Sequence, residues 1–312
     1  MVISCLLFKT KILLCLSVHS VAIKKLIATE NTERHRKAQN RKTIFNYKRS
    51  TDHMKKQTIL LPIALMAFGI TQAQNRNINM DSLVKLSSKT EVWEPVPAKV
   101  TPGKTASDAP SDAIVIYNGK DLNAFQKKGG GAPGWKIDKD GSLTVVKTSG
   151  DLQTKQSFGS CQLHIEWKSP AVVAGSSQSR GNSGIFFMGQ YELQVLDSYE
   201  NPTYVNGQAG SIYKQHIPLV NASRKPGEWQ TYDVVFTAPQ FYADGTIQTP
   251  ARITVLHNGV LVQNNVEIKG GTVWIGTPVY KKHNDKEPLV LQDHGNDGGN
   301  PMSYRNIWVR EL

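Results

Sequence analysis

Cysteine is close to absent, with three in 312 residues. Cys5 and Cys15 sit at the extreme N-terminus, which leaves Cys161 alone in the rest of the chain. A single thiol excludes an intramolecular disulfide framework and the paired-cysteine spacing of a zinc site. Within SCQLHIEW it reads as a small apolar strand residue. His164, His216, His257, His283 and His294 fall at no metal-ligand spacing. A phosphate-cradling glycine loop is also missing, because GGGAPG at 129–134 runs into a strand pattern and not a helix. No GxSxG nucleophile elbow occurs, and RGNSGIF does not supply a serine at a strand-to-helix turn. Helical period is lacking too, since no stretch of about a dozen residues keeps it convincingly.

Acidic charge is scarce beside basic charge, giving a formal +12, but the excess is local. Residues 1–53 carry 11 Lys/Arg against 3 Asp/Glu, and Lys55 and Lys56 follow. From Gln57 onward about +2 remains, so the basicity does not point to nucleic acid. Met54 opens MKKQTILLPIALMAFGITQAQN, with two lysines, an apolar run over 59–70 and small residues near Ala73. That order is a secretory signal peptide over 54–73, and its apolar run is short for a membrane span. The expected product is exported to the periplasm or beyond, with no membrane span in the mature chain. Residues 1–53 are then an upstream extension of the reading frame, with a membrane anchor at 1–23 as the alternative.

Residues 74–111 are rich in Pro, Ser, Thr and Lys and read as an exposed leader that wraps or links the domain after it. From residue 112 to 312 the pattern changes to short β-branched and aromatic runs: AIVIY, WKIDKDGSLTVV, CQLHIEWKS, GIFFMGQYELQVLD, WQTYDVVFTAP, ARITVLHNGVLVQ, PLVLQDHG and YRNIWVREL. Asp140-Gly141 and Asn258-Gly259 stand between alternating runs, a strong hairpin signal. The expected class is one all-β antiparallel domain, a sandwich or a barrel. The segment over 199–227 is too long for a hairpin turn and is expected to act as a functional loop or lid.

In YELQVLD, period-2 alternation sends Leu193 and Val195 to the core and Glu192 and Gln194 to the opposite face. A carboxylate and an amide side by side in a strand need solvent or a ligand, and a plain solvated sheet face is the alternative. His164 and Glu166 share a face of CQLHIEW; Gln292, Asp293 and His294 end another strand; Arg180 and Arg305 start two more. Such a set suits sugar hydroxyls or general acid/base work. Trp135, Trp167, Trp229, Trp274 and Trp308 supply candidate stacking faces for sugar rings, each weighed against a core position. His257 alternates with Ile253 and Val255 and is expected in the core. The oxygen-rich loops at 283–287 and 294–300 leave a calcium site open, while no cofactor is expected.

NGKDLNAF, GNSGIFF, YELQVLDSY, PGEWQTYDVVF, ITVLHNGVLV, LVLQDHG and YRNIWVREL, in this order over about residues 112–312, resemble the bacterial 3-keto-disaccharide hydrolase family. The resemblance implies a concanavalin-like jelly-roll β-sandwich of two antiparallel sheets. It also implies cleavage of glycosides oxidised at C3, by removal of the C2 proton, elimination and hydration. Carried onto this chain, it makes Glu192, His294, Asp293 and Asp197 the candidate catalytic residues, with Glu192 and His294 foremost. Arg180, Asn182, Gln194, Gln292 and Arg305 become candidate substrate contacts. The fold also serves sugar-binding modules, so a non-catalytic carbohydrate module and a conventional glycoside hydrolase stand as alternatives.

Overall fold

The computed structural model describes residues 79–295 and 301–312. The expected extension over 1–53 and signal peptide over 54–73 lie outside the described residues. The chain divides into two compact units at Pro95. In the first, α1 (Met80–Ser87) is capped by Asn79, whose side chain accepts from the backbone N–H groups of Asp81 and Ser82. This short helix interrupts a leader that the sequence shows without period. The leader's remainder, from Val96, belongs to the second unit.

That unit is built from β1 (Ile114–Tyr117), β2 (Phe125–Lys127), β3 (Lys136–Ile137), β4 (Leu143–Thr144), β5 (Leu152–Phe158), β6 (Cys161–Lys168), β7 (Asn182–Phe187), β8 (Tyr191–Leu196), β9 (Gln230–Thr237), β10 (Gln240–Phe241), β11 (Ile247–Thr249), β12 (Arg252–His257), β13 (Val260–Glu267), β14 (Glu287–Leu291) and β15 (Ser303–Glu311). The large sheet runs β13-β12-β9-β6-β15-β4-β3, with β1 also paired to β15. The small sheet runs β2-β5-β14-β7-β8, and β10 and β11 form a separate ribbon. Every pairing is antiparallel, and the fold is the jelly-roll β-sandwich.

Alternation sorts the side chains. On β12, Ile253, Val255 and His257 are buried while Arg252, Thr254 and Leu256 are partly exposed; β9 repeats the pattern with Tyr232, Val234 and Phe236 inside. Between the sheets Phe187 stacks on Phe236 with centroids 4.8 Å apart, and Trp135 stacks on Tyr304 at 5.7 Å. Each such side chain contributes about 1.5–3 kcal/mol on burial. Two phenols tie the sheets: Tyr232 Oη donates to the Gln194 carbonyl at 2.8 Å, and Tyr304 Oη donates to Ser183 Oγ at 2.6 Å. His257 meets Gln230 Oε1 through Nε2 at 2.8 Å and stacks on Trp167. Burial first, then Arg224, pulls its pKa down to about 3, so it is a neutral core residue. The Asn258-Gly259 turn between β12 and β13 has both residues at positive φ, 53° and 78°, as a tight two-residue hairpin requires.

The small sheet would end in an open edge at β8. It does not, because Leu193 bridges to Ile212, the Gln194 N–H donates to the Ser211 carbonyl at 3.0 Å, and the Gly210 N–H donates to the Gln194 carbonyl at 3.1 Å. The long loop after β8 therefore lays residues 210–213 along the exposed strand.

Candidate active site

On the outer face of β7 and β8 lies a cleft of about 600 Å³, lined by Gln178, Asn182, Phe186, Glu192, Gln194, Tyr204, Tyr213, Thr272, Trp274, Gln292 and His294. Two loops roof it. One carries Tyr204 and Tyr213, the other Thr272 and Trp274, and the Gln215 side chain joins them by donating to the Gly270 carbonyl at 3.0 Å and accepting from the Lys269 N–H at 2.7 Å. All six residues of β8 are buried as a result. The alternation read from YELQVLD holds, and the second face is a covered site, not a solvated surface.

Glu192 forms the floor. Its backbone N–H donates to Thr272 Oγ1 at 3.0 Å, while its carboxyl has no hydrogen bond or ion pair among the described residues. Burial, with the Asp151 carboxylate adding to it, pushes its pKa up to about 8. The acid is therefore mostly protonated at neutral pH. Room for it comes from Gly184, where a Cβ would stand 2.6 Å from Glu192 Oε1. Both glycines of GNSG suggested turns; Gly181 fits, with φ +50°, whereas Gly184 lies within β7 and is small because of this approach.

Beside the acid lies a directed chain of amides. Gln194 Nε2 donates to Asn182 Oδ1 at 3.1 Å and to Gln178 Oε1 at 3.2 Å. Gln178 Nε2 donates to Thr203 Oγ1 at 2.9 Å and to the Gly207 carbonyl at 3.0 Å, and Asn182 Nδ2 donates to the Gln178 carbonyl at 2.8 Å. With both Nε2 protons engaged, Gln194 offers Oε1 as an acceptor. Gln292 buries its Oε1 without a partner among the described residues, so its amide nitrogen is the end left to donate. The far wall is aromatic. Tyr213 is the cross-strand neighbour of Glu192 through the edge pairing, and its hydroxyl meets that of Tyr204 at 2.7 Å. Burial first, then Tyr204 and Glu192, raises the Tyr213 pKa.

Of the nine candidate residues, Glu192, Gln194, Asn182, Gln292 and His294 line this cleft. The other four do not. Arg180 and Asp197 hold each other, Nε to Oδ2 at 2.8 Å, and Arg180 also donates to the Tyr199 carbonyl at 2.8 Å. That pair clamps the start of the long loop, its guanidinium and carboxylate taken up by one another outside the cleft lining. Asp293, two residues past the end of β14, is held elsewhere: its Oδ2 accepts from the Gly150 N–H at 2.9 Å and its N–H donates to Asp151 Oδ1 at 2.9 Å. Arg305 lies on the outer face of the large sheet, donating to Glu166 Oε2 at 2.6 Å with its guanidinium 4.1 Å from the Trp229 ring centroid. Sequence reasoning missed Gln178, Tyr204, Tyr213 and Thr272, which come from loops, and Phe186, which lies in GNSGIFF but reads as an apolar strand residue; Trp274 is one of five equal tryptophans, of which Trp135, Trp167 and Trp308 are buried.

The same outer face of the large sheet holds the other polar pair. His164 Nδ1 meets Asp233 Oδ1 at 2.6 Å, Asn306 Nδ2 donates to Glu166 Oε1 at 2.9 Å, and His164 stacks on Trp308 at 5.4 Å. Burial lowers the His164 pKa, but Asp233 and Glu166 outweigh it and carry it up to about 9. For Glu166 burial raises, yet His164, Asn306 and Arg305 bring it to about 2. Ser107 closes the patch, its carbonyl accepting from Asn306 Nδ2 at 2.9 Å and Trp308 Nε1 at 3.0 Å. In the loop at 283–287, Asn284 Nδ2 donates to Glu287 Oε1 at 2.6 Å, and residues 296–300 of the other oxygen-rich loop lie outside the described residues. Among the described residues no group of three or more His, Cys, Asp or Glu is placed to hold a metal ion, and no helix is long and apolar enough to cross a membrane.

Residues 112–310 match the family model of the 3-keto-alpha-glucoside-1,2-lyase-like domain. The chain belongs to this family. The lyase-like domain is 55% identical to a proposed glycosyl hydrolase of known structure from Parabacteroides distasonis, with a TM-score of 0.69, covering 72% of this chain and 96% of that one. A second proposed glycosyl hydrolase from the same organism is 20% identical at a TM-score of 0.49, covering 69% of this chain and 100% of that one. No curated protein matches the lyase-like domain. Membership and the cleft together make it a carbohydrate-active protein.

Proposed function

We propose that the lyase-like domain cleaves glycosides already oxidised at C3, by elimination across C1 and C2 and addition of water. The ketone acidifies the C2 proton; a base takes it, the electron pair forms the enolate, and the C1–O bond breaks as the leaving oxygen is protonated. Water then adds across the C1–C2 double bond, so the sum is hydrolysis. The observation that carries this reading is Glu192, a buried carboxyl kept neutral and unpaired at the floor of the cleft. A neutral acid can protonate a leaving oxygen at pH 7, as a carboxylate cannot. His294 is the base in this scheme, and the Gln292 amide nitrogen a donor to the C3 oxygen as negative charge develops there.

A conventional glycosidase would set two carboxyl groups across the cleft, about 5–9 Å apart. Among the described residues Glu192 is the one carboxyl in the lining, which favours elimination. The test uses a 3-keto-α-glucoside, its C2-deuterated form and the unoxidised parent. Release from the ketone alone, slowed by deuterium, is expected; release from the parent would point to ordinary hydrolysis, and release from neither to a binding module. The domain is read as exported after cleavage at Ala73, which N-terminal sequencing of the secreted chain checks by finding Gln74 first.

A further inference from the structure

The cleft joins two surfaces of different chemistry. Its floor is polar and hidden, with Gln194 and Glu192 1% and 5% exposed. Its wall is aromatic and open: Trp274 is 72% exposed and Tyr204 39%. The exposed indole is not a lone surface side chain: Trp274, Tyr204 and Tyr213 all stand about Lys214, and a contiguous exposed aromatic patch marks a binding site. The wall is also held in place. Lys214 Nζ donates to the Trp274 carbonyl at 2.6 Å and lies 5.8 Å from the centroids of Tyr204 and Tyr213 and 6.0 Å from that of Trp274. The Tyr204 and Tyr213 rings stand edge to face at 62°, locked by their hydroxyl contact.

The floor suits the oxidised sugar, whose hydroxyls and carbonyl need directional partners. The wall offers mainly ring faces; the Tyr204 and Tyr213 hydroxyls meet each other and Lys214 Nζ meets the Trp274 carbonyl, so a second sugar would find fewer hydroxyl partners there than on the floor. A flat unsaturated ring needs none and gains from stacking. Because the wall is the outer part of the cleft, it meets whatever projects from the sugar held below, which in an elimination is the leaving group.

We propose that Trp274, with Tyr204 and Tyr213, forms a leaving-group subsite that selects 3-keto-glycosides carrying an aromatic ring on the anomeric oxygen. The subsite rests on the elimination reading for its turnover test and on binding alone for a second test. The first compares kcat and KM for phenyl, glucosyl and methyl 3-keto-α-glucosides in the native protein and in Trp274→Ala and Trp274→Phe. Phenol leaves more readily for chemical reasons, so the informative quantity is the phenyl-to-methyl ratio in the variant divided by that in the native protein. It falls about tenfold in Trp274→Ala, through KM, and largely recovers in Trp274→Phe. An unmoved ratio overturns the subsite, and so does a loss in Trp274→Ala confined to the glucosyl substrate, which would mark a sugar-stacking site. The second test is calorimetric titration with phenyl and methyl α-glucoside, which need no oxidation. Tighter phenyl binding that vanishes in Trp274→Ala supports the subsite even where no ketone is turned over, whereas equal binding overturns it even where turnover persists.

Discussion

The two outer faces of the sandwich carry nearly the same ingredients and use them oppositely. On the large sheet, His164 and Glu166 stand in mid-strand with Asp233, Asn306 and Arg305 around them, and each charge has a partner. On the small sheet, Glu192, the second residue of β8, faces outward beside Gln194 with no partner for its carboxyl among the described residues. Pairing pulls the Glu166 pKa down to about 2, and burial without pairing pushes the Glu192 pKa up to about 8. The same residue type on an outward strand face is thus held as a charge on one sheet and kept neutral on the other. What separates structure from chemistry here is whether neighbours use up the group's hydrogen-bonding capacity.

The sharpest way to break the comparison is a matched pair of substitutions. Glu192→Gln keeps shape and polarity but cannot give up a proton, so turnover of a 3-keto-glycoside falls about 10³-fold, within the usual span for general acid–base groups. Its melting temperature stays level or rises. Glu166→Ala does the reverse: it leaves Arg305 without its anion and His164 with Asp233 alone, and lowers stability by about 2 kcal/mol in denaturant titration, while turnover well below the transition is kept.

Titration sharpens it further. Glu192 rises from 4.5 to about 8, so the folded chain keeps a proton that the unfolded chain has lost. Its contribution to stability therefore decreases as pH climbs from 4.5 to about 8, and turnover drops roughly tenfold per pH unit beyond that point. On the other face, His164 rises from 6.5 to about 9, so its contribution is complete below 6.5 and lost as pH passes upward through about 9. That of Glu166 is present above 4.5 and lost as pH falls through about 2. Chemical unfolding followed across pH in native, Glu192→Gln and Glu166→Ala chains separates the curves. The smallest effect belongs to Ser107: deleting residues through 111 leaves the buried Trp308 Nε1 without its acceptor and lowers stability by about 1–2 kcal/mol, with kcat unchanged.

Much of this was readable from residue order. The alternation of YELQVLD sent Leu193 and Val195 inward and Glu192 and Gln194 outward, and His257 entered the core in step with Ile253 and Val255. Alternation could not say which outward face is roofed, because the roof comes from loops whose path depends on tertiary pairing. Arg180 and Asp197, 17 positions apart, close on each other only because β7 and β8 form a hairpin. Arg305 was assigned to the sugar by its charge, but β15 belongs to the opposite sheet from β8, which residue type does not reveal. Tyr213 carries no motif at all; it reaches Glu192 through the Leu193–Ile212 bridge. Helix α1, only eight residues long, was too short to register as periodic.

The strip at residues 210–213 serves as both seal and wall. It covers the hydrogen-bonding groups of β8 and carries Tyr213 to the cleft. A molecule whose strip has peeled away loses its site and bares an edge strand in the same event, and bare edges recruit other chains. Loss of activity and onset of self-association are thereby one transition. In an aged or heated sample, turnover and light scattering are therefore expected to change together.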